Sequence, residues 1–151
     1  MTSAANNDQV DPFDLARFVT AQEYEFDEAL SELRRGRKES HWMWFIFPQI
    51  DGLGSSPAAR KYAIRSLDEA RAFLAHPVLG PRLLKCCRAI LSVEGKSVSD
   101  IMGYPDDIKL RSSMTLFSLA ADYQPEFRGV LKKYFSGEKD PRTIEILNKG
   151  M

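Results

Sequence analysis

Apolar side chains recur at helical spacing along most of this chain. Phe26, Ala29, Leu30 and Leu33 fall at i, i+3, i+4 and i+7, the stripe of an amphipathic helix over 22–35 that Gly36 ends. The same spacing predicts a helix over 78–92 from Leu79, Leu83, Cys86, Cys87 and Ile90. Another runs from Tyr104-Pro105 to about residue 121, with Leu110, Met114, Phe117 and Ala121 as its stripe. Asp11-Pro12, Ser56-Pro57, Pro125 and Asp140-Pro141 read as helix starts for 13–20, 57–64, 125–135 and 141–148, since proline is well tolerated in a first turn. Ser66 and Glu69 form a capping-box pattern ahead of 67–74, and a short helix over 97–102 closes at Gly103. No alternating pattern or hairpin signal interrupts this series. The expected fold is all-α, a compact single-domain bundle of about seven to eight short helices over residues 11–151. A polar leader, residues 1–10, is expected to be disordered.

One stretch resists periodicity because it is apolar on every side. Residues 41–50, His-Trp-Met-Trp-Phe-Ile-Phe-Pro-Gln-Ile, hold both tryptophans of the chain. Its first six residues read equally as one helical turn or a short buried strand, and Pro48 stops either one. Left exposed, the run would form a large apolar patch, so it must be largely buried. Yet His41, Gln49 and Asp51 flank it, and Gly52-Leu53-Gly54-Ser55 follows as a tight loop. An apolar wall beside convergent polar groups suits a small-molecule pocket. Trp42 and Trp44 are candidate platforms for a planar ring, with Gln49, Gly52, Gly54 and Ser55 as polar contacts. The glycine loop reads either as an anion nest or as a turn that needs positive φ. His41 is the one side chain of the run whose ordinary pKa suits proton transfer near neutrality.

The helix after Tyr104-Pro105 carries the second candidate. Asp106, Lys109 and Ser113 lie at i, i+3 and i+7, with Ser112 close by, so they share one helix face. Lys109 would anchor a phosphate or carboxylate, and Ser112 would donate a hydrogen bond. A stronger version makes Ser113 a nucleophile with Lys109 as its base. The plain alternative is a solvated face with an i, i+3 ion pair. Asp106, His41 and Ser113 are the candidate catalytic residues.

Composition narrows the classes. The 151 residues carry 21 basic and 21 acidic side chains, so no global field favours a nucleic-acid backbone or an anionic membrane. The local cluster Arg34-Arg35-Gly36-Arg37-Lys38 reads as cations complementing a helix C-terminus. Cys86 and Cys87 are the only cysteines. As helix neighbours they cannot close an ordinary disulfide, and they read as small apolar residues of a reducing compartment. With two histidines and no spaced cysteine pair, no metal site is expected. No cofactor is expected either. Neither a secretory signal nor a membrane span is apparent, so the expected location is cytoplasmic.

The strings HWMWFIFPQIDGLG (41–54) and DDIKLRSSMTLF (106–117) resemble a family of small bacterial proteins catalogued as a domain of unknown function and often labelled calpastatin. The resemblance spans about residues 11–147 and implies a compact, mainly helical domain without an established reaction. The label fits poorly, because inhibitors of that name are long, disordered, repeated chains, and this one has a dense apolar pattern and no repeat. More weakly, His76-Pro77-Val78-Leu79, Leu83-Leu84, Glu94 and Ser99-Asp100-Ile101-Met102-Gly103 are similar to the NAD- and ADP-ribose-related domain family, some of whose members are N-glycosidases. That similarity implies a catalytic carboxylate at Glu94 or Asp100, although Met102 stands where the family has tryptophan. Read from their neighbours alone, both acids are helix-end and turn residues.

The expectation is binding or hydrolysis of a small phosphorylated or nucleotide-like ligand, including one of ADP-ribose type. An enzyme of this kind would be a hydrolase acting on an N-glycosidic bond. The alternative is a protein-interaction or homo-oligomerising module, such as a homodimer, anchored by residues 41–50. Exposure of Trp42 and Trp44 would distinguish the module from the pocket.

Overall fold

The computed structural model describes residues 11–150; the expected disordered leader, 1–10, lies outside them. Ten helices form among the described residues, more than the seven to eight expected, and they build the all-α domain. In chain order they are α1 (Ala16–Gln22), α2 (Phe26–Arg34), α3 (Met43–Ile46), α4 (Pro57–Lys61), α5 (Leu67–Ala75), α6 (Leu79–Leu91), α7 (Val98–Met102), α8 (Asp106–Ala120), α9 (Pro125–Phe135) and α10 (Pro141–Lys149). None is long and apolar enough to cross a membrane.

Helix α8 is the hub. It packs against α5, α7, α9 and α10, while α6 packs against α2, α5 and α9. Enclosed on several sides, α8 buries Leu110, Met114, Leu116 and Phe117 and also Ser112, Ser113, Thr115 and Ser118. This corrects the two-faced helix expected from its sequence. Small hydroxyl side chains can be enclosed once they bond to nearby backbone; Thr115 donates to the Arg111 carbonyl at 2.8 Å and Ser118 to the Thr115 carbonyl at 2.9 Å. A row of phenylalanines ties the helices together. Phe18, Phe73, Phe117 and Phe127 follow one another with ring centroids 5.1, 5.4 and 5.6 Å apart, spacings at which aromatic pairs add to burial.

Several element starts move relative to expectation. Asp11 accepts from the Leu15 and Ala16 amides at 2.8 and 3.2 Å, but Asp14 takes a φ of 52°, so α1 begins only at Ala16. The helix expected over 57–64 stops at Lys61 because the chain is taken up by a single parallel bridge, Ile50 with Ile64. The Ile64 amide donates to the Gln49 carbonyl at 2.8 Å, and the Asp51 amide to the Ile64 carbonyl at 2.7 Å. Ser66 caps α5 as expected. Glu69, however, reaches past it to the Arg65 amide at 3.0 Å and to Arg17 at 2.8 Å. Arg17 in turn donates to the Lys61 and Ala63 carbonyls at 2.7 and 2.8 Å, which fastens the bridge segment to α1. The complete capping box belongs to α7, through Ser97 and Asp100.

Gly80 permits the sharp passage from α5 to α6. A Cβ there would sit 2.1 Å from the Leu74 carbonyl oxygen, a distance no side chain can occupy. His76 completes the corner by accepting from the Val78 and Leu79 amides through Nδ1.

Candidate functional site

The aromatic run resolves into α3, a single helical turn, followed by extended chain. Gln22 holds it from α1 by donating to the Phe45 carbonyl at 2.7 Å. The segment just before it is fixed by a buried acid that the sequence did not single out. Glu32 on α2 accepts from the Glu39 amide at 2.8 Å, the Ser40 amide at 3.0 Å, the Ser40 hydroxyl at 2.5 Å and the Trp42 indole N–H at 2.8 Å. Burial pushes this carboxyl up, yet the bonds from Ser40, Glu39 and Trp42 prevail and bring it down to about 2 from 4.5. Four donors converging on one carboxylate make residues 39–42 a set piece of the fold.

That set piece meets the start of α8. Residues 38–41, 43 and 44 and residues 104–106 and 109 line a cleft of about 320 Å³ that includes His41, Trp44, Tyr104, Asp106 and Lys109. Asp106 lies between two ammonium groups, Lys38 Nζ at 2.8 Å and Lys109 Nζ at 3.9 Å. Lys38 also donates to the Ser40 carbonyl at 2.6 Å and sits 4.8 Å above the Trp42 ring. Lys109 Nζ stands 5.5 Å from the Trp44 ring centroid, within cation–π range. The first-turn amides of Asp107, Ile108 and Lys109 are turned to the Gly103 and Pro105 carbonyls. An anion in this cleft would therefore meet ammonium groups before helix N–H groups.

The expected site residues divide clearly. His41, Trp44, Asp106 and Lys109 come together in the cleft, although His41 and Lys109 lie 68 positions apart in the chain. Trp42 does not join them: it is fully buried and its N–H is spent on Glu32. Trp44 is half-buried and forms a wall. His41 is exposed at the cleft. Gln49, Gly52 and Gly54 lie against Trp44 in a separate crevice of about 10 Å³, room for roughly one water and not a ligand. Gly52 has a φ of 106°, and a Cβ on Gly54 would lie 2.7 Å from that of Ala59. The loop glycines thus serve a tight turn; Ser55 is exposed beside them.

Ser112 and Ser113 part company. Ser112 donates to Asp140 Oδ2 at 2.8 Å, and Asp140 caps α10 by accepting from the Arg142 and Thr143 amides. Burial pushes the Asp140 carboxyl up, but the Thr143 and Ser112 hydroxyls and the cap amides outweigh it and leave it lowered. Ser113 is fully buried and its hydroxyl has no partner among the described residues. Lys38 and Tyr104 are among the cleft residues not singled out from the sequence. Their one available signal was adjacency, Lys38 to the aromatic run and Tyr104 to the α8 start. Glu94 is an exposed turn residue paired with Lys133 at 2.9 Å, and Asp100 belongs to the α7 cap, so neither faces the cleft. Cys86 and Cys87 are free and buried, and burial raises the Cys86 thiol to about 12. No cluster suited to a metal ion occurs among the described residues.

Residues 12–147 match the model of a protein family of unknown function, DUF1810, and the chain belongs to that family. It is similar to the conserved hypothetical protein Rv1873 from Mycobacterium tuberculosis, known from a crystal structure. The two share 53% identity with a TM-score of 0.90, over 91% of this chain and 99% of that one. No curated protein matches the chain. These comparisons give no support to the calpastatin label or to the ADP-ribose-related resemblance.

Proposed function

We propose that this DUF1810 protein binds a small anionic ligand with a planar ring, phosphorylated or nucleotide-like, in the cleft between residues 38–44 and the start of α8. The observation that carries the reading is Lys109 poised 5.5 Å over the half-buried Trp44 ring at a cleft that also holds His41 and Asp106. An ammonium beside an indole offers a charge for phosphate and a face for stacking at the same point. Tyr104, largely exposed on the opposite lip, offers a second ring. Asp106 holds Lys38 and Lys109 in place by facing both.

Binding is favoured over hydrolysis. Cleavage of an N-glycosidic bond needs a carboxylate that can stabilise an oxocarbenium-like centre or activate water, by analogy with glycoside hydrolysis. The Asp106 oxygens are already engaged by two ammonium groups, and Ser113 is walled in.

A thermal-shift panel of nucleotides, NAD, ADP-ribose and sugar phosphates tests the reading. A ligand that binds only the folded chain raises the melting temperature by mass action. The expected result is a rise with at least one phosphorylated, ring-bearing compound that disappears in Lys109→Ala. No rise across the panel, or a rise unchanged by Lys109→Ala, overturns it.

A further inference from the structure

A larger cleft, of about 500 Å³, lies where the Ile50–Ile64 bridge, the start of α5 and the end of α10 come together. It shares no lining residue with the Trp44 cleft. Leu67, Ile146 and Leu147 supply apolar walls. The charged rim is set by the backbone. Ile50 and Ile64 both turn into the core, and side chains alternate along extended chain, so Asp51 and Arg65 both turn outward from neighbouring positions on the bridge. Adjacent extended segments run about 4.8 Å apart, which places one negative and one positive side chain side by side.

Neighbouring charges are already matched. Glu69 pairs with Arg17 at 2.8 Å, and Arg71 pairs with Asp68 at 3.4 Å while donating to the Ala120 carbonyl at 3.1 Å. Asp51 and Arg65 line the cleft with no ion pair among the described residues. A simple anion would be repelled by Asp51 and a simple cation by Arg65. A ligand carrying both charges on one carbon, with an apolar substituent, satisfies rim and walls together.

We propose that this cleft binds a free α-amino acid with an apolar side chain. Its carboxylate pairs with Arg65, its ammonium with Asp51, and its side chain rests on Leu67, Ile146 and Leu147. The size of the cleft admits side chains from leucine to phenylalanine, and the apolar walls select against glycine.

Calorimetric titration of the full chain with L-leucine, L-phenylalanine, N-acetyl-leucine, leucinamide and glycine tests the proposal. Saturable binding is expected for leucine or phenylalanine. Affinity should fall at least tenfold for N-acetyl-leucine, which lacks the ammonium, and for leucinamide, which lacks the carboxylate. Arg65→Gln and Asp51→Asn, both at exposed positions, should each weaken the parent amino acid by a similar factor while far-UV circular dichroism stays unchanged. Lys109→Ala should leave this binding intact. The proposal is overturned if neither amino acid binds, if the blocked analogues bind as well as their parents, or if both rim variants keep full affinity.

Discussion

Replacing Glu32 with glutamine probes the device that shapes the Trp44 cleft. An amide can retain most of the geometry, with its oxygen accepting from the Glu39 and Ser40 amides and the Trp42 indole, and its nitrogen facing the Ser40 hydroxyl. What it loses is the charge. A carboxyl held at about 2 instead of 4.5 stabilises the fold by roughly 3 kcal/mol at neutral pH, at about 1.4 kcal/mol per pH unit. Because the folded-state value lies below the unfolded one, this contribution is complete above about pH 4.5 and drains away as pH falls toward 2. Urea denaturation of wild type and Glu32→Gln at pH 7, 5, 4 and 3 measures it. The wild type should be more stable at pH 7, and the gap should narrow by about 2 kcal/mol between pH 5 and pH 3. A gap independent of pH would refute the claim that the Glu32 charge fixes residues 39–42. Because those residues include His41, the variant should also bind cleft ligands more weakly at neutral pH.

Two further substitutions test the core and its corners. Ser113→Ala removes a buried hydroxyl that has no partner and should raise stability by about 1 kcal/mol in thermal melts, since its desolvation is uncompensated. A loss of ligand affinity in that variant would instead restore Ser113 to the site. Gly80→Ala drives a methyl to 2.1 Å from the Leu74 carbonyl and should lower stability by about 3 kcal/mol, at the upper end of overpacking costs. An unchanged melting temperature would show that the α5–α6 corner relaxes freely.

Much of the helical frame was legible because its stripes face a single core. The Phe26, Ala29, Leu30 and Leu33 pattern gave α2, and proline-led starts gave α4, α9 and α10. Legibility fails where a segment is enclosed on all sides. Residues 42–47 carry no periodicity because every side chain but Trp44 is buried, so a helical turn and a strand read alike. Helix α8 fails for the opposite reason: its serines and threonine look solvent-facing by polarity, and only packing against four other helices reveals them as buried. The cleft was half visible. Its two motifs announced themselves, but Lys38 and Tyr104 acquire a role only when residues 38–44 approach α8, a long-range contact that spacing cannot report. The glycine loop reads from sequence as an anion nest or as a turn, and Gly52 takes a φ of 106° in the fold, a conformation that suits a turn.

The most direct test of the cleft is a tryptophan-fluorescence titration with phosphorylated, ring-bearing compounds on wild type, Trp44→Phe and Lys109→Ala. Trp42 is sealed in the core and Trp44 lines the cleft, so ligand-dependent emission changes should arise from Trp44. The account predicts a saturable change in wild type that is absent in Trp44→Phe and weakened at least tenfold in Lys109→Ala. No saturable change with any of these compounds, or one that persists in both variants, would contradict it.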